Sequence, residues 1–179
     1  RHELVRNIVA SPLSGRVGGL VDVRPWVSRL DAAIQADPGL TELPGRFLIS
    51  VDDGTGDVSG LAADLGIHTL DGGVVALLLA GRDTGVRLAG EDGVAALVTL
   101  ARRFCALRGG AWRVKELDDV RGLLGEYSSG SGTLLHPTPT TRARVGWIPQ
   151  DDGRVALGAA VPLGVLSAEQ ARFVAAVEA

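Results

Sequence analysis

The spacing of hydrophobic residues divides the first half of the chain into alternating strands and helices. Short apolar runs bounded by glycine, proline or aspartate predict strands within residues 7–10, 43–57, 67–70, 74–81 and 84–90. Apolar positions recur at helical spacing over residues 22–39 and 91–109, which predicts two amphipathic helices. The continuous run at 74–81 predicts a central strand that is covered on both faces.

The pattern changes in the second half. Residues 114–127 predict a weaker helix, and residues 128–143, rich in Ser, Gly, Thr and Pro, predict a linker. The last stretch reads as strand, Asp-Asp-Gly turn, strand and helix, and Ser167 with Gln170 forms a capping box for that helix. A unit of about 36 residues cannot bury a core alone, so we expect it to pair with another element, with self-association as one route.

Composition narrows the class of protein. The 179 residues carry a net charge of -3, and the apolar fraction of 46% includes few aromatics, so Val, Leu, Ile and Ala must form the core. No basic patch indicates nucleic-acid binding, and no apolar run is long enough to span a bilayer. The single cysteine, Cys105, excludes an internal disulfide and an all-cysteine metal site. We expect a cytoplasmic protein and, because the chain starts at Arg1 and has no Met, an excerpt of a longer polypeptide.

An Arg-Asn pair opens a small-residue loop near the start of the chain, in "RNIVASPLSG" (residues 6–15). The Arg6 guanidinium can pair bidentately with a carboxylate, and the Asn7 amide adds a neutral donor, which together favour a carboxylate-rich ligand. Ser11 and Ser14 are further donors, although small loop residues are usually turn formers. The structural alternative is a surface arginine beside a turn-capping asparagine.

The acidic stretch "DDGTGD" (residues 52–57) invites comparison with a calcium loop. Its spacing is wrong for an EF-hand, so we predict a turn followed by a short helix over 58–66 that Asp57 caps. His2, His68 and His136 have no partners at metal-ligand spacing, and we interpret all three as structural or surface residues. Trp26, Trp112 and Trp147 are interpreted as packing or interface residues.

Four stretches together resemble the sulfite/nitrite reductase superfamily, and most closely its precorrin-3B synthase branch. They occur in order along the chain, at residues 6–15, 22–34, 43–66 and 145–177. The resemblance implies an α+β fold in which a nitrite/sulfite reductase-like domain, with a mixed sheet and flanking helices, occupies residues 1–108. A helix and flexible linker would follow at 109–143, and half of a ferredoxin-like module at 144–179.

The resemblance also implies an activity that this chain would share with absent parts. A precorrin-3B synthase-like oxidoreductase hydroxylates precorrin-3A with dioxygen, and this chain would form one wall of the tetrapyrrole pocket. The first half-unit and the domain with the 4Fe-4S cluster would lie outside the chain, so we expect no cofactor bound by this chain alone and an inactive isolated chain. The intact enzyme would carry the cluster, and the resemblance is also compatible with a mononuclear iron. The resemblance does not identify the electron donor.

Three site residues follow from the resemblance. Arg6 and Asn7 match the Arg-Asn motif at the tetrapyrrole face, and Arg46 matches the first of two basic positions after Leu43-Pro44 in the reductases. Leu48 occupies the second basic position, a departure that fits an enzyme that binds neither sulfite nor nitrite. A sirohaem-dependent sulfite or nitrite reductase is the alternative within the class, and a non-catalytic tetrapyrrole-binding or scaffold domain is the alternative from another class.

Overall fold

The computed structural model describes residues 7–130, 132–137 and 145–177. The chain divides into two compact units, residues 1–140 and 141–179. The described residues of the first unit form five strands and two α-helices in the order β1 (Ile8–Ala10), α1 (Arg24–Ala36), β2 (Ile49–Asp52), β3 (Leu65–Thr69), β4 (Val74–Leu79), β5 (Arg82–Ala89) and α2 (Gly90–Leu107). These elements agree with the strands and the two helices that the hydrophobic pattern predicts.

The five strands form one mixed sheet in the order β1-β2-β3-β4-β5. β1, β2 and β3 are parallel, with Ile8 opposite Ile49 and Ile49 opposite Leu65, whereas β4 and β5 run antiparallel to their neighbours. The mixed sheet with flanking helices confirms the predicted α+β class. β4 lies between two strands and its residues 75–79 are all buried, as the continuous apolar run predicts.

The two helices pack on one face of the sheet. Leu30 and Ile34 of α1 and Leu97 and Phe104 of α2 are fully buried, and the Phe104 ring lies 4.8 Å from that of Phe47. The helices meet where α2 begins. A side chain at Gly90 would collide with the ring of Trp26, whose indole donates to Glu91 Oε1. Trp26 is therefore a packing residue, as interpreted.

Residues 108–130 differ from the prediction. In place of an α-helix over 114–127, the chain makes two 3₁₀ segments, Val114–Glu116 and Gly122–Ser129. Gly125 adopts a positive φ, and Arg103 Nη1 of α2 donates to the carbonyls of Leu123 and Leu124. An α-helix does not form, because the Arg103 side chain binds these carbonyls and because Gly125 departs from helical backbone angles.

The carboxyl end of β2 is closed by a turn around one buried carboxylate. Asp52 accepts hydrogen bonds from the backbone N–H groups of Gly54, Gly56, Val58 and Ser59 and from the Ser59 hydroxyl, over 2.8–3.1 Å. Burial alone would raise its pKa, but the hydrogen bonds from His68, Gly56 and Ser59 outweigh burial and hold the pKa well below its usual range. The predicted turn is thus present and is built on Asp52.

The predicted role of Asp57 as a helix cap is wrong. The segment that follows is a three-residue 3₁₀ turn, Ser59–Leu61, whose N-cap is Val58, and Asp57 instead accepts a 2.6 Å hydrogen bond from the Ser11 hydroxyl. Desolvation raises the pKa of Asp57, and the nearby charges of Asp52 and Asp53 add to that effect. Asp52 has taken the backbone N–H groups that Asp57 would have capped.

The second unit is a hairpin followed by a helix. β6 (Gly146–Pro149) pairs antiparallel with β7 (Val155–Gly158), and α3 (Ala168–Ala175) begins at the capping box of Ser167 and Gln170. Trp147 faces Leu157 across the hairpin, and both side chains are exposed. None of residues 145–177 is buried, which agrees with the expectation that this unit has no core of its own.

No helix in the described part of the chain combines the length and the apolar character needed to cross a membrane.

Removal of the charge of Asp52 and of Asp57 should change the stability of the protein in opposite directions. Asp57 has a raised pKa in the folded protein, so its contribution to stability is present below the unfolded pKa and is lost as pH rises through the folded pKa. We expect Asp57→Asn to raise the free energy of unfolding at about pH 7 by less than about 1 kcal/mol, because Asp57 is partly exposed and solvent screens its interactions, and to have no effect below about pH 4. Thermal melts across this pH range measure it.

Asp52→Asn is the matched comparison, since the pKa of Asp52 is lowered and its contribution is present above the unfolded pKa. We expect this variant to lose about 1.5–3 kcal/mol at about pH 7, the usual contribution of hydrogen bonds to a charged group. A destabilised Asp57→Asn at neutral pH would contradict this assignment of roles.

Candidate functional site

The amino ends of the three parallel strands form one edge of the sheet, and the sequence-predicted residues Asn7 and Arg46 meet there. Asn7 directly precedes β1, and its carbonyl accepts a 2.9 Å hydrogen bond from the Ile49 N–H of β2. The Asn7 side-chain amide donates to the carbonyl of Gly45, the neighbour of Arg46. Two residues 39 positions apart in the sequence are thereby adjacent in the fold. Arg6 lies outside the described residues.

Arg46 stands on a tight turn. The Phe47 N–H donates to the Pro44 carbonyl over 2.9 Å, which closes a β-turn with Gly45 and Arg46 at its centre. Phe47 is buried against the helices, whereas the Arg46 side chain is exposed. The buried Phe47 ring and the hydrogen bond from the Asn7 amide therefore hold the turn in place, and the turn leaves the Arg46 guanidinium exposed to solvent.

Leu48, at the second basic position of the reductase motif, is half-buried and is held through its backbone. Its N–H donates to Asp64 Oδ2 over 2.9 Å, and its carbonyl accepts from the Asp64 N–H over 2.8 Å. Asp64 immediately precedes β3 and is only 1% exposed. This buried carboxylate needs a compensating charge, because an unpaired charge in the protein interior is strongly disfavoured.

Arg113 supplies that charge. Its Nε donates to Asp64 Oδ2 over 2.6 Å, and its Nη2 donates to the Ala62 carbonyl over 3.0 Å. The Asp64 oxygen that holds Arg113 also holds the Leu48 N–H, so a second guanidinium lies next to the Leu48 backbone. The Arg113 side chain is about one-quarter exposed. Sequence reasoning missed both Arg113 and Asp64; the only signal was an aspartate among apolar neighbours just before a strand.

The amino edge thus carries a row of polar and cationic groups on consecutive strand starts. Asn7 and Arg46 lie at β1 and β2, and the Asp64–Arg113 pair lies at β3. Neighbouring strands are about 4.8 Å apart, so the row extends over about 10 Å. Such spacing suits a ligand with several separated carboxylates better than a single small anion, which needs cations that converge on one point.

Ser11 and Ser14 do not belong to this edge. They follow β1 rather than precede it, so they lie at the opposite, carboxyl edge of the sheet. The Ser14 hydroxyl donates to the Val21 carbonyl and accepts from the Val23 N–H, and the Ser11 hydroxyl bridges Asp57 and the Asp53 N–H. Their hydrogen bonds hold the loop in place, which agrees with the role of turn formers.

The carboxyl edge gathers three carboxylates. One oxygen each from Asp52, Asp53 and Asp57 lies within 4.8 Å of the others, close enough to share a cation. Each of these side chains accepts hydrogen bonds from its own loop or from Ser11. Those bonds account for the cluster as the frame of the turn.

A serine, a histidine and an aspartate also meet at this edge. His68 Nδ1 lies 2.8 Å from the Ser59 hydroxyl, which itself donates to Asp52 Oδ2. The serine proton therefore points to the aspartate and the imidazole donates to the serine, the reverse of a nucleophile activated by a histidine base. Ser59 is 1% exposed, so this set is a structural network, in agreement with the interpretation of His68.

The chain's own residues do not fit an iron–sulfur cluster. Such a cluster is held by four thiolates, and the one cysteine lies on α2, half-buried, where burial raises the pKa of its thiol.

The other two tryptophans differ from Trp26. Trp112 and Trp147 are each about half exposed, so neither is a packing residue within the described parts of the chain.

Comparison with known proteins supports the fold. No family model and no curated protein matches the chain. Among solved structures, the Mycobacterium tuberculosis NirA protein matches with a TM-score of 0.59 and 15% sequence identity, over 84% of this chain. The chain spans about a third (32%) of the length of NirA. The architecture is thus an α+β fold with a mixed five-stranded sheet that resembles a nitrite/sulfite reductase domain.

Proposed function

We propose that this chain forms one wall of a tetrapyrrole pocket in a redox enzyme of the sulfite/nitrite reductase lineage. The observation that supports the proposal is the row of Asn7, Arg46 and Arg113 at the amino edge of the parallel strands. Arg46 at this edge is exposed, and the Arg113 guanidinium is about one-quarter exposed. An anionic ligand is therefore attracted to the amino edge.

The ligand we propose is a macrocycle with peripheral carboxylates. Arg46 is exposed and available for bidentate pairing with one carboxylate. Arg113 is fixed by Asp64 before any ligand arrives, so it loses little side-chain entropy when it binds a second carboxylate through its remaining N–H groups. Leu48 is half-buried and bonds through its backbone to the carboxylate that holds Arg113, and it would offer an apolar contact to the ring.

Within this lineage we propose the precorrin-3B synthase-like activity, hydroxylation of precorrin-3A with dioxygen. The cluster and any mononuclear iron that activate dioxygen would come from outside this chain. The residues described here would bind and orient the macrocycle. Leu48 supports the synthase over a sirohaem-dependent sulfite or nitrite reductase, because an apolar side chain at this position does not help to bind a small anion.

Replacement of Arg46 tests the site directly. Arg46→Ala should weaken binding of uroporphyrin, a carboxylate-rich porphyrin, by roughly tenfold to a hundredfold, the value of one charge-assisted hydrogen bond. Quenching of tryptophan fluorescence in the chain measures the affinity, since Trp112 adjoins Arg113.

Arg16→Ala is the charge-matched control, because Arg16 is also exposed but lies on the loop after β1, at the carboxyl edge. The control should leave the affinity unchanged. Equal loss of affinity in both variants would mean that uroporphyrin responds to net charge rather than to this site.

Arg113 and Asp64 test whether preorganisation contributes. We expect Arg113→Lys to bind uroporphyrin several-fold more weakly, because lysine keeps the charge but cannot bind Asp64 and a ligand at once through a planar fork. Protoporphyrin, with fewer carboxylates, should show a smaller difference between the wild type and this variant. Circular dichroism confirms the fold of each variant, and an unchanged uroporphyrin affinity in folded Arg113→Lys would remove Arg113 from the site.

The response to sulfite distinguishes the rival functions. A sirohaem-dependent reductase holds its tetrapyrrole and its small anion at the same time, so millimolar sulfite should change the absorption spectrum of the longer protein loaded with sirohaem. If the chain belongs to a synthase, sulfite should leave that spectrum unchanged. Failure of the wild-type chain and of the longer protein to bind any carboxylate-rich tetrapyrrole would favour the scaffold alternative.

A further inference from the structure

The amino edge of the sheet continues past the Asp64–Arg113 pair to the turn that joins β4 to β5. β4 runs antiparallel to β3, so it ends at the edge where β3 begins, and β5 starts at that same edge with Arg82. Leu79, the last residue of β4, pairs with Arg82 across the turn. Arg82 therefore lies at the edge of the sheet that carries the candidate site.

The β4–β5 turn is fixed to the segment that positions Arg113. Ala80 and Gly81 both adopt a positive φ, which is typical of a tight two-residue hairpin turn. The Ala80 N–H donates to the Asp64 carbonyl over 2.9 Å, and a Cβ at Gly81 would lie only 2.7 Å from the Ala62 Cα. The Ala62 carbonyl and the Asp64 carboxylate also accept hydrogen bonds from Arg113. The turn and the Arg113 guanidinium are thus held by the same two residues, and their separation is set before any ligand binds.

The Arg82 side chain is exposed, and none of the ion pairs formed within the described residues includes it. By contrast, the exposed Arg24, Arg29 and Arg102 each pair with a carboxylate of the chain. Arg82 shares with Arg46 the combination of exposure and no ion pair among these residues. A guanidinium in this condition retains its positive field and its planar set of donors for a ligand.

Three arginines are thereby spread along the amino edge, with Arg46 before β2, Arg113 at β3 and Arg82 at the start of β5. At about 4.8 Å per strand, the start of β5 is about 10 Å from that of β3 and about 14 Å from that of β2. A single small anion does not contact all three cations at this spacing. A ligand with carboxylates around a ring does.

We propose that Arg82 forms a third carboxylate subsite and selects tetrapyrroles that carry carboxylates around the whole ring. This inference rests on the proposed function and assigns it a specificity-determining residue. Arg82 donates two parallel N–H bonds to a carboxylate on the side of the ring remote from the one that Arg46 holds. A tetrapyrrole whose carboxylates all lie on one side is satisfied by Arg46 and Arg113 and leaves Arg82 without a partner.

The test compares two porphyrins in one variant. Uroporphyrin carries carboxylates on every pyrrole ring, whereas those of protoporphyrin lie on one side. Arg82→Gln removes the charge but keeps a long polar side chain at an exposed position. We expect it to bind uroporphyrin about tenfold more weakly than the wild type, the value of one charge-assisted hydrogen bond, and protoporphyrin with the wild-type affinity. Quenching of tryptophan fluorescence measures both affinities, and circular dichroism confirms the fold.

Two further variants separate a subsite from a general effect of charge. Arg82→Lys keeps the charge but cannot donate bidentately, so it should lose several-fold in uroporphyrin affinity. Arg16→Gln removes an exposed charge from the loop after β1, at the carboxyl edge, and should leave the ratio of the two porphyrin affinities unchanged.

The outcomes distinguish this inference from the proposed function. If folded Arg82→Gln binds uroporphyrin as the wild type does while Arg46→Ala binds it more weakly, the third subsite is overturned and the proposed function stands. Equal losses for both porphyrins in Arg82→Gln would also overturn the subsite, because selection by the number and placement of carboxylates would be absent. A wild type that binds neither porphyrin, alone or within the longer protein, would overturn both.

Discussion

One buried carboxylate, that of Asp64, connects the parts of the first unit that the candidate site depends on. Its side chain holds the Leu48 N–H before β2, the Arg113 guanidinium and the Val114 N–H, and its backbone carbonyl accepts from the Ala80 N–H after β4. Two strand ends and the segment after α2 thus converge on a residue that is 1% exposed. Removal of the carboxylate would leave the partly buried Arg113 guanidinium without its ion-pair partner and two backbone donors without an acceptor.

The sheet separates the candidate site from the acidic turn because parallel strands begin together and end together. Everything that follows a parallel strand, including Asp52 and Asp57, meets at one edge, and everything that precedes one, including Asn7 and Asp64, meets at the other. The stretch at residues 7–15 crosses the sheet from one edge to the other. Its serines therefore support the fold while its asparagine belongs to the candidate site, although they are only a few residues apart.

Sequence reasoning recovers the elements and less of the site. The strands and the helices α1 and α2 follow from apolar periodicity, which burial enforces directly. The α-helix expected at 114–127 does not form, because Gly125 has a positive φ and because Arg103 of α2 binds the carbonyls of two residues in this segment. The contact with Arg103 joins residues about 20 positions apart, so the local sequence pattern does not reveal it. Arg46 is visible in a motif, but Arg113 becomes part of the site only through Asp64, 49 positions earlier, and no local pattern encodes such a pair.

The absence of buried residues in 145–177 determines how the stability of this protein is measured. The heat capacity change and the denaturant m-value both scale with the surface that unfolding exposes. A hairpin and helix that bury little surface contribute little to either quantity. A calorimetric or urea transition of the whole chain thus measures the unfolding of the first unit. A spectroscopic probe at Trp147 instead reports the local unfolding of the hairpin and helix of the second unit.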